Sequence, residues 1–269
     1  MSAPVLALLL ALTGAAALAL LLAVLLLRRR AGRLTRLLAD HTNKLEQLQI
    51  QFGRFAPADV VERLTEGGGD VPPSRRQITL LFADLRGFTA MCDRLDPAQT
   101  VGILNGYFRC MTEVITGHHG RVTEVIGDEL LALFGALQPN PWQAQDAVLA
   151  ALDMRAELTR YNARLRADSL PELQFGIGIH RGEVLVGVMG NAELRKFGVV
   201  GDPINVASRV ERLTRVHDVD LLISEEVRTA LDARFRLRAM PPTQVRGKAE
   251  PIVTYLVEGL QPQPAAALG

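Results

Sequence analysis

QITLLFADLRGFT, residues 77–89, decides how the rest of the chain is read. Gln77 to Ala83 is an apolar run of strand length that stops at an acid, Asp84, and passes into Leu85-Arg86-Gly87-Phe88-Thr89. A run of that kind predicts a buried strand with a carboxylate at its end. Downstream, Pro97 to Thr116 has helical apolar spacing. Arg121 to Ile126 and Glu129 to Phe134 flank Gly127-Asp128, which predicts a hairpin, because Gly-Asp tolerates positive φ. Trp142 to Leu165 predicts an amphipathic helix carrying Val148, Leu152, Leu158 and Leu165. Separate strands are expected at Leu173–His180, Glu183–Met189 and Lys196–Val200. Asp202-Pro203 then opens a helix, with Asp as N-cap and Pro at the first helical position. A strand at Asp220–Ser224, a short helix, and strands near Leu237–Arg246 and Ile252–Val257 complete the pattern. Helices interspersed among strands without a regular βαβ repeat predict an α+β sheet domain.

Upstream of this domain the composition changes. Of the first 27 residues, 23 are apolar and none is charged, whereas the 269-residue chain as a whole is 48% hydrophobic. Val5 to Leu27 as a helix would be about 35 Å long, enough to cross a hydrocarbon core with some tilt. Met1-Ser2-Ala3-Pro4 lacks the basic start of a cleaved leader, and Arg28, Arg29, Arg30, Arg33 and Arg36 all follow the apolar run. The positive-inside rule therefore predicts a single-pass anchor in an inner or plasma membrane, amino terminus outside and the remainder cytoplasmic. Beyond position 36 the chain carries 25 basic and 29 acidic residues. That net-acidic body argues against nucleic acid as a partner. Two cysteines, Cys92 and Cys110, exclude a disulfide scaffold and cannot by themselves build a zinc site.

Leu34, Leu38, His41, Leu45, Leu48, Phe52 and Phe55 are spaced 4, 3, 4, 3, 4, 3. Three heptads of seam directly after a span predict a parallel two-stranded coiled coil that would pair two copies of the next domain. Gly67-Gly68-Gly69-Asp70-Val71-Pro72-Pro73-Ser74 reads as a linker. The expected organisation is an anchor over 1–27, a connector over 28–56, a linker over 57–75, the α+β domain over 76–258, and a Pro/Ala/Gln-rich disordered tail over 259–269.

Common chemistries are missing from the sequence. There is no G-x-x-x-x-G-K-[ST], no G-x-G-x-x-G, no G-x-S-x-G and no H-E-x-x-H. His118-His119 adjoin Gly120 and read as a helix end. What remains is two acids at strand ends, Asp84 and Asp128. Taken singly, each also reads as a turn residue. Together they suggest hard oxygen ligands for Mg²⁺, which binds through one or two carboxylates plus substrate phosphate.

The local strings are more specific. LFADLRGFT (81–89), TEVIGDELLALFG (123–135) and VVGDPINVASRVERL (199–213), in this order and separation, closely resemble the class III adenylyl/guanylyl cyclase catalytic domain. FGRFAPADVVERL (52–64) resembles the segment that commonly precedes such domains. The resemblance covers residues 76–258. It implies a ferredoxin-like α+β fold, a head-to-tail homodimer with shared active sites, and conversion of a nucleoside triphosphate, GTP or ATP, to its 3′,5′-cyclic form and pyrophosphate.

Carried over by position, the resemblance makes Asp84 and Asp128 the ligands of two divalent ions, Mg²⁺ or Mn²⁺, per active site. Backbone amides around Gly87, Phe88 and Thr89 would hold phosphate. Asn205 would orient the ribose, and Arg209 would meet charge building on the α-phosphate. Their i, i+4 spacing puts both on one helical face. The family's phosphate lysine matches Arg246, with Lys248 two residues on as a second candidate.

Glu124 stands where adenylyl cyclases of the family carry lysine and guanylyl cyclases carry glutamate. Guanine offers N1–H and N2–H₂ donors to a carboxylate, whereas adenine presents an N1 acceptor. Glu124 against adenine would leave polar groups unpaired at roughly 1–3 kcal/mol each. Gly198, at the second base-selecting position, supplies no side chain. GTP is therefore the favoured substrate. Alternatives are cyclic AMP synthesis from ATP, and a catalytically silent nucleotide-binding dimer that only relays a signal.

Overall fold

The structure is a computed structural model that describes residues 73–190, 195–244 and 251–261. The chain divides into Met1–Gly69 and Asp70–Gly269, and all the described residues lie in the second unit. The apolar span, the heptad connector and nearly all of the linker fall outside the described residues, as do Arg246 and Lys248.

β1 (Ser74–Leu85) forms because six successive residues, Ile78 to Ala83, are buried. Both faces are covered, so the run does not alternate with polar residues. Leu81, Ala83 and Leu85 pack beneath α2 (Pro97–Gly117) and α3 (Gln143–Ala167), against Ile103, Tyr107, Met111, Val148 and Met154. Ile78, Leu80 and Phe82 face the other side, with Val184, Val186 and Ala207. α1 (Phe88–Cys92) is a short helix entered through Gly87. β2 (Gly120–Ile126) and β3 (Glu129–Phe134) form the hairpin, and only Gly127 of its two-residue turn takes positive φ, at 64°.

The first four long strands stand in the order β2-β3-β1-β4, with β1 antiparallel to both β3 and β4. With α2 and α3 as the crossovers this is the split βαβ arrangement of a ferredoxin-like sheet, which agrees with the expected fold class. β4 (Phe175–Gly190) is then extended on its outer edge by two partners. β6 (Leu221–Ser224) pairs in parallel with its first half, and β5 (Arg195–Val200) pairs antiparallel with its second. β8 (Thr254–Leu260) and β7 (Phe235–Ala239) continue the sheet beyond β6. α4 (Asp202–Val216) lies on the face opposite α2 and α3. α5 (Glu225–Arg228) follows β6 directly.

Three sequence expectations are corrected. Leu173–His180 and Glu183–Met189 are one strand, because Arg181-Gly182 does not turn. Gly182 is small there because Pro203 of α4 sits against it, and a Cβ would fall 2.5 Å from the proline ring. A glycine inside a strand pattern thus marked close approach. The N-cap of α4 is Gly201, not Asp202, and Pro203 falls one position further into the first turn. β7 stops at Ala239, well short of the expected Arg246, since Pro241-Pro242 follow and cannot donate to a ladder.

Candidate active site

Asp84 continues the face of Leu80 and Phe82, the one that α4 covers. It pairs across β4 with Gly176, while on the other side the β1–β3 ladder ends at Ala83 and Leu130. The next position along β3 is Glu129, and the Gly127-Asp128 turn follows it, so the hairpin brings Asp128 beside the end of β1 where Asp84 stands. Its effect is visible in the charge. Burial first, then the Asp84 carboxylate, push Asp128 above the ordinary aspartate range, even with Arg215 pulling it down. The sequence-predicted pair is therefore brought together.

The surroundings add acids that sequence reasoning missed. Glu129 is raised by burial and by Asp84. Glu211, on α4, is 2% exposed and pushed up to about 7, mainly by burial and then by Asp84. It packs against β4 where glycine permits: a Cβ on Gly176 would lie 2.8 Å from Glu211 Oε1, and one on Gly178 would lie 2.1 Å from the Glu211 backbone nitrogen. Glu211 Oε1 and the neighbouring Thr214 Oγ1 are buried without a hydrogen-bond partner. From the opposite face Tyr107 brings a fully buried phenol, also unpartnered, whose pKa is raised by burial, then by Asp84 and Asp128.

Two arginines meet this cluster differently. Arg215, in the last turn of α4, donates from Nη2 to Asp84 Oδ2 and at 3.5 Å to the Leu85 carbonyl. Arg86 donates to the Thr214 carbonyl at 3.1 Å and to the Val219 carbonyl, tying the end of α4 to β1. Asp84 and Asp128 offer oxygen donors at one strand end, with Glu129 and Glu211 nearby adding negative charge. Among the described residues no group of three or more ligating side chains is preassembled. Mg²⁺ fits such a site, since it takes one or two carboxylates and completes its shell with water and phosphate.

The remaining predicted residues lie elsewhere. Gly87 has φ 64°, and α1 begins at Phe88, whose ring is in the core. Phe88 therefore offers a ligand only its backbone, and Thr89 is exposed. Asn205 is exposed near the start of α4. It lies ten residues, about 15 Å, from Arg215 along the helix. Arg209 is half-buried, with Nη1 buried and unpartnered. Glu124 sits on β2 four residues before Asp128, about 13 Å along the strand. A bulge at Thr123 shifts the β2–β3 register just before it, a device that re-aims the following side chain. Gly198 pairs with Gly187 on the far half of β4, whereas Asp84 pairs with Gly176. Those eleven positions correspond to roughly 30–35 Å of strand. One chain thus holds the carboxylate pair at one end of β4, and Gly198 with the start of α4 toward the other.

Known proteins share this fold and these strings. A family model described as the adenylate and guanylate cyclase catalytic domain matches residues 71–259. An adenylate cyclase of Anabaena cylindrica is 34% identical over 227 residues, 80% of this chain and 44% of that protein. The crystal structure of the guanylyl cyclase Cya2 superposes with a TM-score of 0.65 at 36% identity, covering 72% of this chain and 97% of that one. The adenylyl cyclase CyaB from P. aeruginosa superposes with the same TM-score, 0.65, at 25% identity, covering 70% and 96%. The chain spans less than half the length of the curated relatives it matches.

Proposed function

The chain belongs to the adenylate and guanylate cyclase catalytic-domain family, and from that premise we propose a membrane-anchored, homodimeric nucleotidyl cyclase that favours GTP. The ribose 3′-oxygen attacks the α-phosphorus, pyrophosphate leaves, and the hydroxyl proton is released. Asp84 and Asp128 hold the divalent cations that the family uses, two in each site, Mg²⁺ or Mn²⁺. Held there, divalent ions would supply Lewis-acid chemistry, making the 3′-hydroxyl more acidic and offsetting charge on the leaving pyrophosphate. Backbone amides around Gly87–Thr89 hold phosphate oxygens, assisted by Arg246 or Lys248. Arg209 meets charge on the α-phosphate, and Asn205 orients the ribose. The observation that carries the reading is the carboxylate pair, Asp84 and Asp128, whose fields overlap at the end of β1.

The separation within one chain supports a dimer. A nucleotide that reaches Asp84 and Asp128 cannot also span 30 Å or so of β4 to Gly198. Two copies arranged head to tail bring the two halves together, giving two equivalent sites. The apolar residues 5–27 and the arginines after them support a single-pass anchor with the catalytic unit cytoplasmic, and the heptad seam supports pairing next to the membrane. Among the described residues no helix is long and apolar enough to cross a membrane.

Base choice rests on Glu124, whose carboxylate suits the guanine N1–H and N2–H₂ donors. Synthesis of cyclic AMP is the second reading, favoured by the likeness to the Anabaena cylindrica adenylate cyclase, while Gly198, which supplies no side chain, favours neither base. Cyclic product measured from GTP and ATP in parallel, with Mn²⁺, tests both. Faster cyclic GMP formation at equal substrate is expected. Equal or faster cyclic AMP formation overturns the GTP preference. Absence of any cyclic product or pyrophosphate favours the silent dimer.

A further inference from the structure

We propose that Arg215 is the resident counter-cation of the Asp84–Asp128 pair, and that a divalent ion binds there by displacing its guanidinium from Asp84. The inference rests on the metal-ligand reading of those aspartates given above. Asp84, Asp128, Glu129 and Glu211 converge on one strand end, and the carboxylate in the middle of them is the one Arg215 contacts. Without a cation, such a cluster is destabilised by its own repulsion.

Arg215 is built to leave. Its side chain is 48% exposed against 17% for Asp84, and it stands in the last turn of α4. The guanidinium can swing into water without opening the core. Arg86 cannot do the same. Its Nη2 donates to the Thr214 and Val219 carbonyls and its side chain is 21% exposed, so it fixes the helix end while Arg215 moves. An arginine and a metal ion compete for the same Asp84 lone pairs, so removing the arginine should tighten metal binding.

The test is Mn²⁺ binding to the full chain without nucleotide, read by the electron paramagnetic resonance of free Mn²⁺. Arg215→Gln is expected to bind Mn²⁺ roughly tenfold more tightly than wild type. Arg215→Lys, which keeps the charge and loses the fork geometry, should fall between the two. Arg212→Gln, which removes a nearby arginine with no contact to Asp84, should shift affinity less than Arg215→Gln. In metal-free buffer Arg215→Gln should melt lower than wild type, and Mn²⁺ should raise its midpoint by more. Unchanged or weaker Mn²⁺ binding in both Arg215 variants overturns the proposal, and the Lys variant decides alone if the Gln variant does not fold. Asp84→Asn separates the two failures. If it leaves wild-type Mn²⁺ binding intact, the metal-ligand reading itself is wrong.

Discussion

Asp84 ends a strand and Asp128 occupies a turn, so neither side chain fills the core, and their chemistry can be removed without removing the fold. Asp84→Ala or Asp128→Ala should lower cyclase turnover at least roughly a hundredfold while far-UV dichroism stays native. Substantial turnover with an unchanged metal requirement would show that the metal site lies elsewhere. Glu211 makes a different prediction. Its carboxyl is raised to about 7 by burial and by Asp84, so the folded state binds this proton more strongly than the unfolded chain does. The associated stability is fully present below the ordinary carboxylate range and is lost as pH rises through about 7, amounting to about 3 kcal/mol at most. In metal-free buffer, Glu211→Gln should therefore raise the melting midpoint by several degrees at pH 8, with the gap closing below pH 5. A gap independent of pH would mean that the carboxyl is ionised throughout. Glu211 left a trace in the sequence, since it falls four residues after Ala207 on the buried face of α4. Arg215 left none, because a charge in the last turn of a helix also reads as solvated.

Single elements were legible where local pattern and tertiary surroundings agree. β1 was readable because an apolar run ending in an acid suits a strand buried on both faces. The β2–β3 hairpin was readable because Gly127 supplies the one positive φ its turn uses. β4 was misread as two strands. Its glycines look like punctuation in the sequence, whereas in the fold Gly176, Gly178 and Gly182 are the surface on which α4 rests. Only the packing partner distinguishes those roles. β7 is shorter than its sequence pattern suggests because Pro241-Pro242 end it. For the heptad connector the prediction is kinetic. Deleting residues 34–55 should lower specific activity most at dilute protein, because the seam raises the effective concentration of one catalytic unit for the other. Specific activity independent of dilution in both proteins would mean that the connector is not a pairing device.

At the scale of the whole molecule, the fold separates the residues proposed for the active site. The carboxylate pair stands at one end of β4, and Gly198 with the start of α4 toward the other, too far apart for one nucleotide within one chain. The carboxylate pair was legible because both aspartates lie in local strings, at a strand end and in a hairpin turn. Their distance from the rest of the site was not, since it depends on the length and register of β4. The central claim is that two copies complete each other, and complementation tests it most directly. Asp84→Ala and Arg209→Ala should each be inactive as homodimers. In a mixed dimer one site collects both lesions and the other neither. Random pairing of equal amounts makes about half the dimers mixed, each with one intact site, so activity should return to about a quarter of wild type. The measurement is cyclic nucleotide formed after co-expression of the two variants, with mixed dimers isolated by differential tags. Recovery near a quarter is the predicted result, and no recovery from demonstrably mixed dimers would contradict the shared site.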